Sequence, residues 1–410
     1  MSSSADLLLG VEARFERARD GVVHSPQELD RGFWERYLAV FDSVTVVARV
    51  RDVDSPSAGG RAVPAEAVRV VGVPHYVGPV QYARRMLQVR AAARHAVRAI
   101  PGAVIVRLPG IVGSHMAGAA RSVGRPYAVE MVGDPWESLS VVPGGPAIRL
   151  PVRLALSTRT RRDCRHAAAV SYVTGKVLQQ RYPPGPSAHS ASCSDVDLAE
   201  EAFAAAPRAF TAPARRLIAV AGLEVPYKGI DVLLEAMAGF PAGDRPSLTV
   251  VGGGRMLDQY RVLAGRLGLD GDVRFTGRLP SGDAVRTELD RADLFVMPSR
   301  TEGLPRAMLE AMARALPCIG SDVGGIPELL DRGELVPVGD GRALQRSLAA
   351  LIADPGRLAR LSRENLERAR RFSVGSLQGR RIETYRWVLD RTSWAPAGGA
   401  AEAPRRAGSN

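Results

Sequence analysis

Lysine is almost missing: of 55 lysines and arginines, only Lys176 and Lys228 are lysine. A composition rich in arginine, alanine, glycine and valine is what a GC-rich coding sequence produces, so a lysine that persists is informative. Cysteine is scarce as well. Cys164, Cys193 and Cys318 are odd in number and widely spaced, which argues against a disulfide framework and a cysteine-based zinc site and agrees with a reducing compartment. No apolar run reaches the roughly 18 residues that a membrane span needs. The opening MSSSADLLLG lacks the charged and apolar regions of a secretion signal. A cytoplasmic protein, soluble or peripheral at the inner face of the membrane, is therefore expected. Aromatic residues make up 5% of the chain, and the arginines are spread rather than clustered, so no nucleic-acid partner is expected.

What is present points to two α/β domains. The 410 residues exceed what one hydrophobic core usually organises. The formal charge of +12 and pI near 10.3 suit phosphate-bearing ligands or an anionic surface. Short Val/Leu/Ile-rich segments alternate with segments of helical period, the pattern of a parallel sheet covered on both faces. Strands are expected at 6–11, 44–50, 103–108 and 126–132. The pattern lapses into Pro, Ser and Ala between 184 and 214, which reads as a boundary. It resumes with strands at 216–222, 247–254, 273–277, 294–298 and 317–321. The expected units are thus 1–190 and 214–375, with a helix at about 376–392 packing back on the first unit. The Ala/Gly/Pro-rich residues 393–410 are expected to be disordered. A helix over 81–100 places Met86, Val89, Ala93, Val97 and Ile100 on one face and Arg84, Arg90, Arg94 and Arg98 on the other. It can be a sheet-covering helix with a solvated basic side, or a weak contact for anionic lipid.

The stretch that carries chemistry is SRTEGLPRAMLEAMARALPCIGSDVGGIPELL, residues 299–330. A strand ending in LFVMPS leads to Glu302 and Gly303, and Pro305 suits the first position of a helix. The amides at that helix start favour a diphosphate or a sugar hydroxyl. Glu302 can accept hydrogen bonds from sugar hydroxyls. Glu310, on the same helix, can accept two from a ribose diol, as the acidic residue of dinucleotide folds does. The pair is not spaced as a hydrolytic acid/base pair. Two Asp-x-Asp strings, Asp52 with Asp54 and Asp195 with Asp197, lie away from this stretch, and the six histidines are scattered. No metal and no cofactor are expected.

Glutamate, seven residues, glutamate and then GGIPE resembles the signature of the family-four retaining glycosyltransferases of GT-B fold. YKGIDVLLEAM resembles that family's phosphate-binding lysine segment, VVGGGRMLDQY its second strand and turn, and VRFTGRLP its nucleobase segment. The resemblance implies two Rossmann-like domains facing across a cleft, the first binding the acceptor and the second the nucleotide sugar. It implies that Lys228 contacts the donor diphosphate, Glu302 the donor sugar and Glu310 the ribose. Gly222, Gly303, Leu304 and Pro305 would shape the donor pocket, and Arg278 and Leu279 would flank the base. The chain departs from the family at Leu223, where an arginine is common, and at Val132, where a histidine is common. VEMVGDPWES instead resembles a subgroup that includes polysaccharide transferases and transferases acting on aminocyclitols. RFERARDGVV, FWERYLAVF, VIVRLPG and SYVTGKVLQQRYP carry the same resemblance.

The expected activity is transfer of a hexose or N-acetylhexosamine, from a UDP-sugar, to a hydroxyl acceptor. A catalytically impaired sugar-nucleotide-binding subunit and a UDP-sugar epimerase are the other readings. Asp134 is the candidate for the reaction centre, alongside a plain Asp-Pro turn. An aminocyclitol such as 2-deoxystreptamine is cationic and would need an acidic pocket, for which Glu12, Asp20, Glu130, Asp134 and Glu137 are candidates, with Trp136 beside them. A glycan or lipid-linked acceptor is the alternative.

Overall fold

The computed structural model describes residues 5–26, 29, 31–57, 59–138, 146–280 and 282–395; of the tail expected to be disordered over 393–410, residues 396–410 lie outside them, whereas Trp394 is held, its carbonyl accepting from the Gly102 amide (2.8 Å) and its ring packed on Arg125. In the first unit the parallel strands are β1 (Asp6–Arg17), β3 (Ser43–Asp52), β5 (Val68–Pro74), β6 (Ala103–Leu108), β7 (Ala128–Met131), β8 (Ala169–Tyr172) and β9 (His189–Ser192). Their order is β5-β3-β1-β6-β7-β8-β9. The short β2 (Val23–Ser25) and β4 (Arg61–Ala62) extend the far end of β1 in antiparallel fashion. The second unit is a parallel sheet of β10 (Arg216–Val220), β11 (Ser247–Val251), β12 (Val273–Gly277), β13 (Leu294–Met297), β14 (Cys318–Ser321) and β15 (Leu335–Val336), ordered β12-β11-β10-β13-β14-β15.

Strands buried on both faces by helices read as continuous apolar runs, which is why most of the core strands are visible in the sequence. β9 is different. Its residues HSAS are only partly buried and it pairs with β8 alone, so the segment from 184 that reads as a boundary begins with a polar edge strand. β1 runs six residues beyond its expected end, bending through a register shift between Gly10 and Arg14. The helix Gly78–Ala99 covers the sheet through Val89, Ala93, Ala96 and Val97. Met86 leaves the expected buried face and is exposed, as are Val80 and Leu87.

In each sheet the strand order reverses beside the first strand, between β1 and β6 and again between β10 and β13. In open α/β sheets ligands bind at the carboxyl ends of strands at such a point. The helix Val374–Thr392 crosses back from the second unit to the first, where Tyr385 donates to Glu130 (2.6 Å) and Val388 joins the core around β1 and β3. Across the cleft, Glu328 accepts from the backbone amides of Lys176 (2.9 Å) and Val177 (2.8 Å), and also from Gly175. These amides open the helix Val177–Arg181, so a carboxylate of one unit closes a helix start of the other.

Replacing Glu328 by alanine should leave three amides without their acceptor and cost about 1.5–3 kcal/mol. A lower melting temperature and a larger radius of gyration by small-angle scattering are expected; an unchanged radius would show that the contact does not hold the two units together.

Candidate functional site

The turn from β10 to the next helix and the turn from β13 to the helix Arg306–Ala313 lie side by side at the second switch point. Two glycines allow their backbones to close on each other. Gly229 has φ +68°, and a Cβ there would fall 2.0 Å from the Pro298 carbonyl oxygen. Gly324 has φ +56°, and a Cβ there would fall 2.0 Å from the Glu302 carbonyl oxygen. Neither backbone conformation nor spacing admits another residue at low cost. The GGIPE segment thus packs on the backbone of the Glu302 loop, with the Gly325 amide donating to the Gly303 carbonyl (2.8 Å).

This arrangement brings Lys228 Nζ to 2.7 Å from Glu302 Oε1, and Ser299 Oγ donates to the same oxygen at 2.7 Å. The side chains keep 16% and 7% of their exposure, so the pair is largely shielded from water and less screened by salt than a surface pair. No side chain caps the amino end of the helix Arg306–Ala313. One turn on, Glu310 has no hydrogen-bond or ion-pair partner among the described residues, and burial pushes its carboxyl above the ordinary glutamate range despite Arg306 and Arg286. Leu304 and Pro305 are buried and Gly222 is exposed at the end of β10. Leu279 packs at the edge of the large core.

Leu223 is fully buried, with its amide on the Gly253 carbonyl (3.0 Å). The position is part of the core and carries no cation toward the cleft. Arg278 packs against the Gly253 turn, is exposed, and has no partner among the described residues. It lines the cavity between the units.

That cavity, about 790 Å³, lies at the carboxyl ends of β1 and β6, the switch point of the first unit, with Glu12, Arg49, Arg107, Pro109 and Val132 among its lining. Val132 also abuts the donor loop, because a side-chain carbon on Gly303 would lie 3.2 Å from the Val132 carbonyl oxygen. The position where a histidine was expected therefore faces both halves of the site.

The acidic acceptor pocket expected from the sequence is not what the chain forms. Glu12 accepts from Tyr76 Oη (2.9 Å) and the Val112 amide (2.9 Å), and pairs with Arg49 at 3.2 Å. Glu130 accepts from Tyr37 (2.7 Å) and Tyr385; burial would raise its pKa, but Arg107, Arg36 and the two hydroxyls hold it below the ordinary range. Asp134 is 3% exposed and accepts from the Trp136 amide (2.8 Å), Tyr182 and Arg181. Its carboxylate builds the turn and faces inward instead of meeting an acceptor. Trp136 stacks under Arg153, 4.1 Å from the ring centroid. Asp20 is exposed at the β1–β2 turn, bonded to the Val22 amide and away from the cavity lining; the Glu137 side chain lies outside the described residues. Both Asp-x-Asp strings are spent on arginines, Asp52 on Arg17, Asp54 on Arg19, Asp195 on Arg107 and Asp197 on Arg381.

Residues 208–368 match the family described as glycosyl transferases group 1. The structure of HepE from Anabaena in complex with UDP and glucose superimposes with a TM-score of 0.64 at 17% identity, over 93% of this chain and all of that one. The fold is GT-B. Among sequence relatives, Protein CapJ of Staphylococcus aureus is 23% identical over 360 residues, 87% of this chain and 88% of CapJ. The amylovoran biosynthesis glycosyltransferase AmsK of Erwinia amylovora is 35% identical over 146 residues, 33% of this chain and 35% of AmsK. These likenesses support a glycosyltransferase of GT-B fold. Among the described residues, no helix is long and apolar enough to cross a membrane.

Glu310 gives this GT-B site a pH signature. If Glu310 accepts the ribose hydroxyls as a carboxylate, its raised pKa means that protons compete at a higher pH than for an ordinary glutamate. UDP affinity, measured by calorimetry, should weaken as pH falls through that raised value and level off above it. Glu310→Gln should bind UDP about tenfold more weakly and lose the pH dependence. A wild-type affinity that is flat down to pH 4.5 would remove Glu310 from ribose binding.

Proposed function

We propose that this chain transfers a hexose or N-acetylhexosamine from a UDP-sugar to an acceptor hydroxyl with retention of anomeric configuration. One observation carries the reading: at the switch point of the second sheet, Lys228, Glu302, an uncapped helix start and the unpartnered Glu310 follow one another, in the order diphosphate, sugar and ribose would require. The structural likeness to HepE, which was solved with UDP and glucose, supports the choice of nucleotide.

The diphosphate would draw Lys228 from Glu302, leaving Glu302 to accept from sugar hydroxyls. Among the described residues the carboxylates that line the first-unit cavity, Glu12 and Glu16, are paired with arginines, so the reading is attack from the leaving-group side, with the departing phosphate oxygen taking the acceptor proton. Lys228, Arg278 and the helix amides would stabilise the developing diphosphate charge, which leaves no role for a metal in this scheme. Closure of the cleft would keep water from the donor. Asp134 enters as a positioning residue that fixes Trp136, Arg181 and Tyr182 beside the cleft. The acceptor is read as a glycan rather than an aminocyclitol, since the carboxylates needed for a cationic acceptor are already neutralised.

Product analysis by nuclear magnetic resonance should show an axial linkage from an α-linked UDP-sugar. Lys228→Ala should lower kcat about 10²–10³-fold, and Lys228→Arg should recover little because a planar fork cannot replace a point charge there. Tight UDP binding without transfer to any acceptor would instead favour a binding subunit, and donor isomerisation without an acceptor an epimerase.

A specific observation also favours weak contact with anionic membrane. The helix Gly78–Ala99 exposes Val80 and Leu87 on one stripe with Arg84, Arg94 and Arg98, and the helix Pro146–Arg165 exposes Leu150 and Leu154. Both pack on the helix Ile111–Ser122. Apolar residues among arginines suit the headgroup boundary. The protein should sediment with vesicles containing anionic lipid and not with neutral ones, and Val80→Asp with Leu87→Asp should abolish this. Equal recovery with neutral vesicles would contradict it.

A further inference from the structure

The cavity at the first switch point is lined by five arginines, Arg14, Arg49, Arg51, Arg107 and Arg278, against two carboxylates, Glu12 and Glu16. Both carboxylates are already paired with lining arginines, Glu12 with Arg49 and Glu16 with Arg51 (2.6 Å). Glu16 is further tied to the Ser57 amide (2.7 Å) and hydroxyl (2.8 Å), which fixes the rim at β4's side of the cavity. Arg14 and Arg278, one from each unit, have no partner among the described residues and both line the cavity. The buried Nε of Arg49 and Nδ1 of His24 are also without partners, and both residues line the cavity. A low-dielectric recess with surplus cationic charge focuses a positive potential.

The field is visible on a neighbour. His75, also in the lining, is held below the ordinary histidine range by burial and by Arg51, Arg49, Arg14 and Arg85. Its ring stays neutral because the surrounding arginines oppose another proton.

We propose that this cavity binds the acceptor through an anionic group, a phosphate or carboxylate carried by the acceptor glycan, held by Arg14 and Arg51. The inference rests on the glycosyl-transfer reading, because the cavity's place beside Val132 and the Gly303 loop matters only if a sugar is delivered there. Within that reading it disfavours cationic and neutral acceptors. The neutral His75 would supply a hydrogen bond to the same group without adding charge, and the unpartnered Nδ1 of His24 lies in the same lining. Planar, always-charged guanidinium groups are the side chains best matched to phosphate and carboxylate oxygens.

The test uses the full chain with UDP saturating the donor site and inorganic phosphate as the probe, followed by calorimetry. Wild type should bind phosphate with an affinity that falls as salt rises. Arg14→Gln/Arg51→Gln should weaken phosphate binding at least tenfold with its melting profile and UDP affinity kept, and Arg14→Lys/Arg51→Lys should recover part of it. Transfer from UDP-glucose is then compared for three acceptors: octyl glucoside, octyl glucuronide and glucose 6-phosphate. Preference for either anionic acceptor, lost in the Gln variant, supports the proposal and tells carboxylate from phosphate. Preference for the neutral glucoside, absence of phosphate binding, or equal phosphate binding in the Gln variant overturns it. Loss of UDP affinity in that variant overturns it too, since the arginines would then serve the donor. Failure of wild type to bind UDP at all would instead count against the glycosyl-transfer reading.

Discussion

The donor half of the site depends on one ion pair. Lys228 and Glu302 come from turns 74 residues apart in sequence, and they meet because Gly229 and Gly324 let three backbone segments approach more closely than any Cβ would permit. A largely buried pair is costly to break from one side only, about 3–5 kcal/mol, because the remaining charge is stranded. A diphosphate offers the lysine a replacement partner, so in the proposed function binding exchanges one pairing for another instead of exposing a bare charge. Ser299, already on Glu302, would keep that carboxylate oriented after the exchange.

What could be read from the sequence was local. The lone Lys228, the spacing of Glu302 and Glu310, and the glycines of GGIPE lie in short segments whose chemistry is set by neighbours in the chain. Most of the core strands were legible for the same reason, since each is a short apolar run, but β5 and β8 were not expected. The acceptor side was not. Glu12 finds Arg49, Glu130 finds Tyr385 across 255 positions, and Asp134 finds Arg181 and Tyr182. A list of acidic residues near strand ends cannot show that three of them, Glu12, Glu130 and Asp134, are taken by partners elsewhere. β9 escaped notice because an edge strand needs no apolar alternation.

The same partnering changes the electrostatics of the cleft. Once the carboxylates are bound to tyrosines, amides and arginines, the charge left over is the surplus of guanidinium groups at the first switch point and Arg278 on the facing turn. Leu223 and Val132, read from the sequence as losses, become apolar positions that pack the donor turn and the floor of the cavity. Of the two switch points, one holds the Lys228–Glu302 pair and the other is lined with arginine.

The central claim is that the second switch point is the nucleotide-sugar site. A crystal structure of the chain soaked with UDP tests it most directly. The account predicts diphosphate density at the amino end of the helix Arg306–Ala313, Lys228 Nζ moved from Glu302 onto it, and both ribose hydroxyls on Glu310. UDP lodged instead among Arg14, Arg49 and Arg51, with the Lys228–Glu302 pair intact, would contradict it.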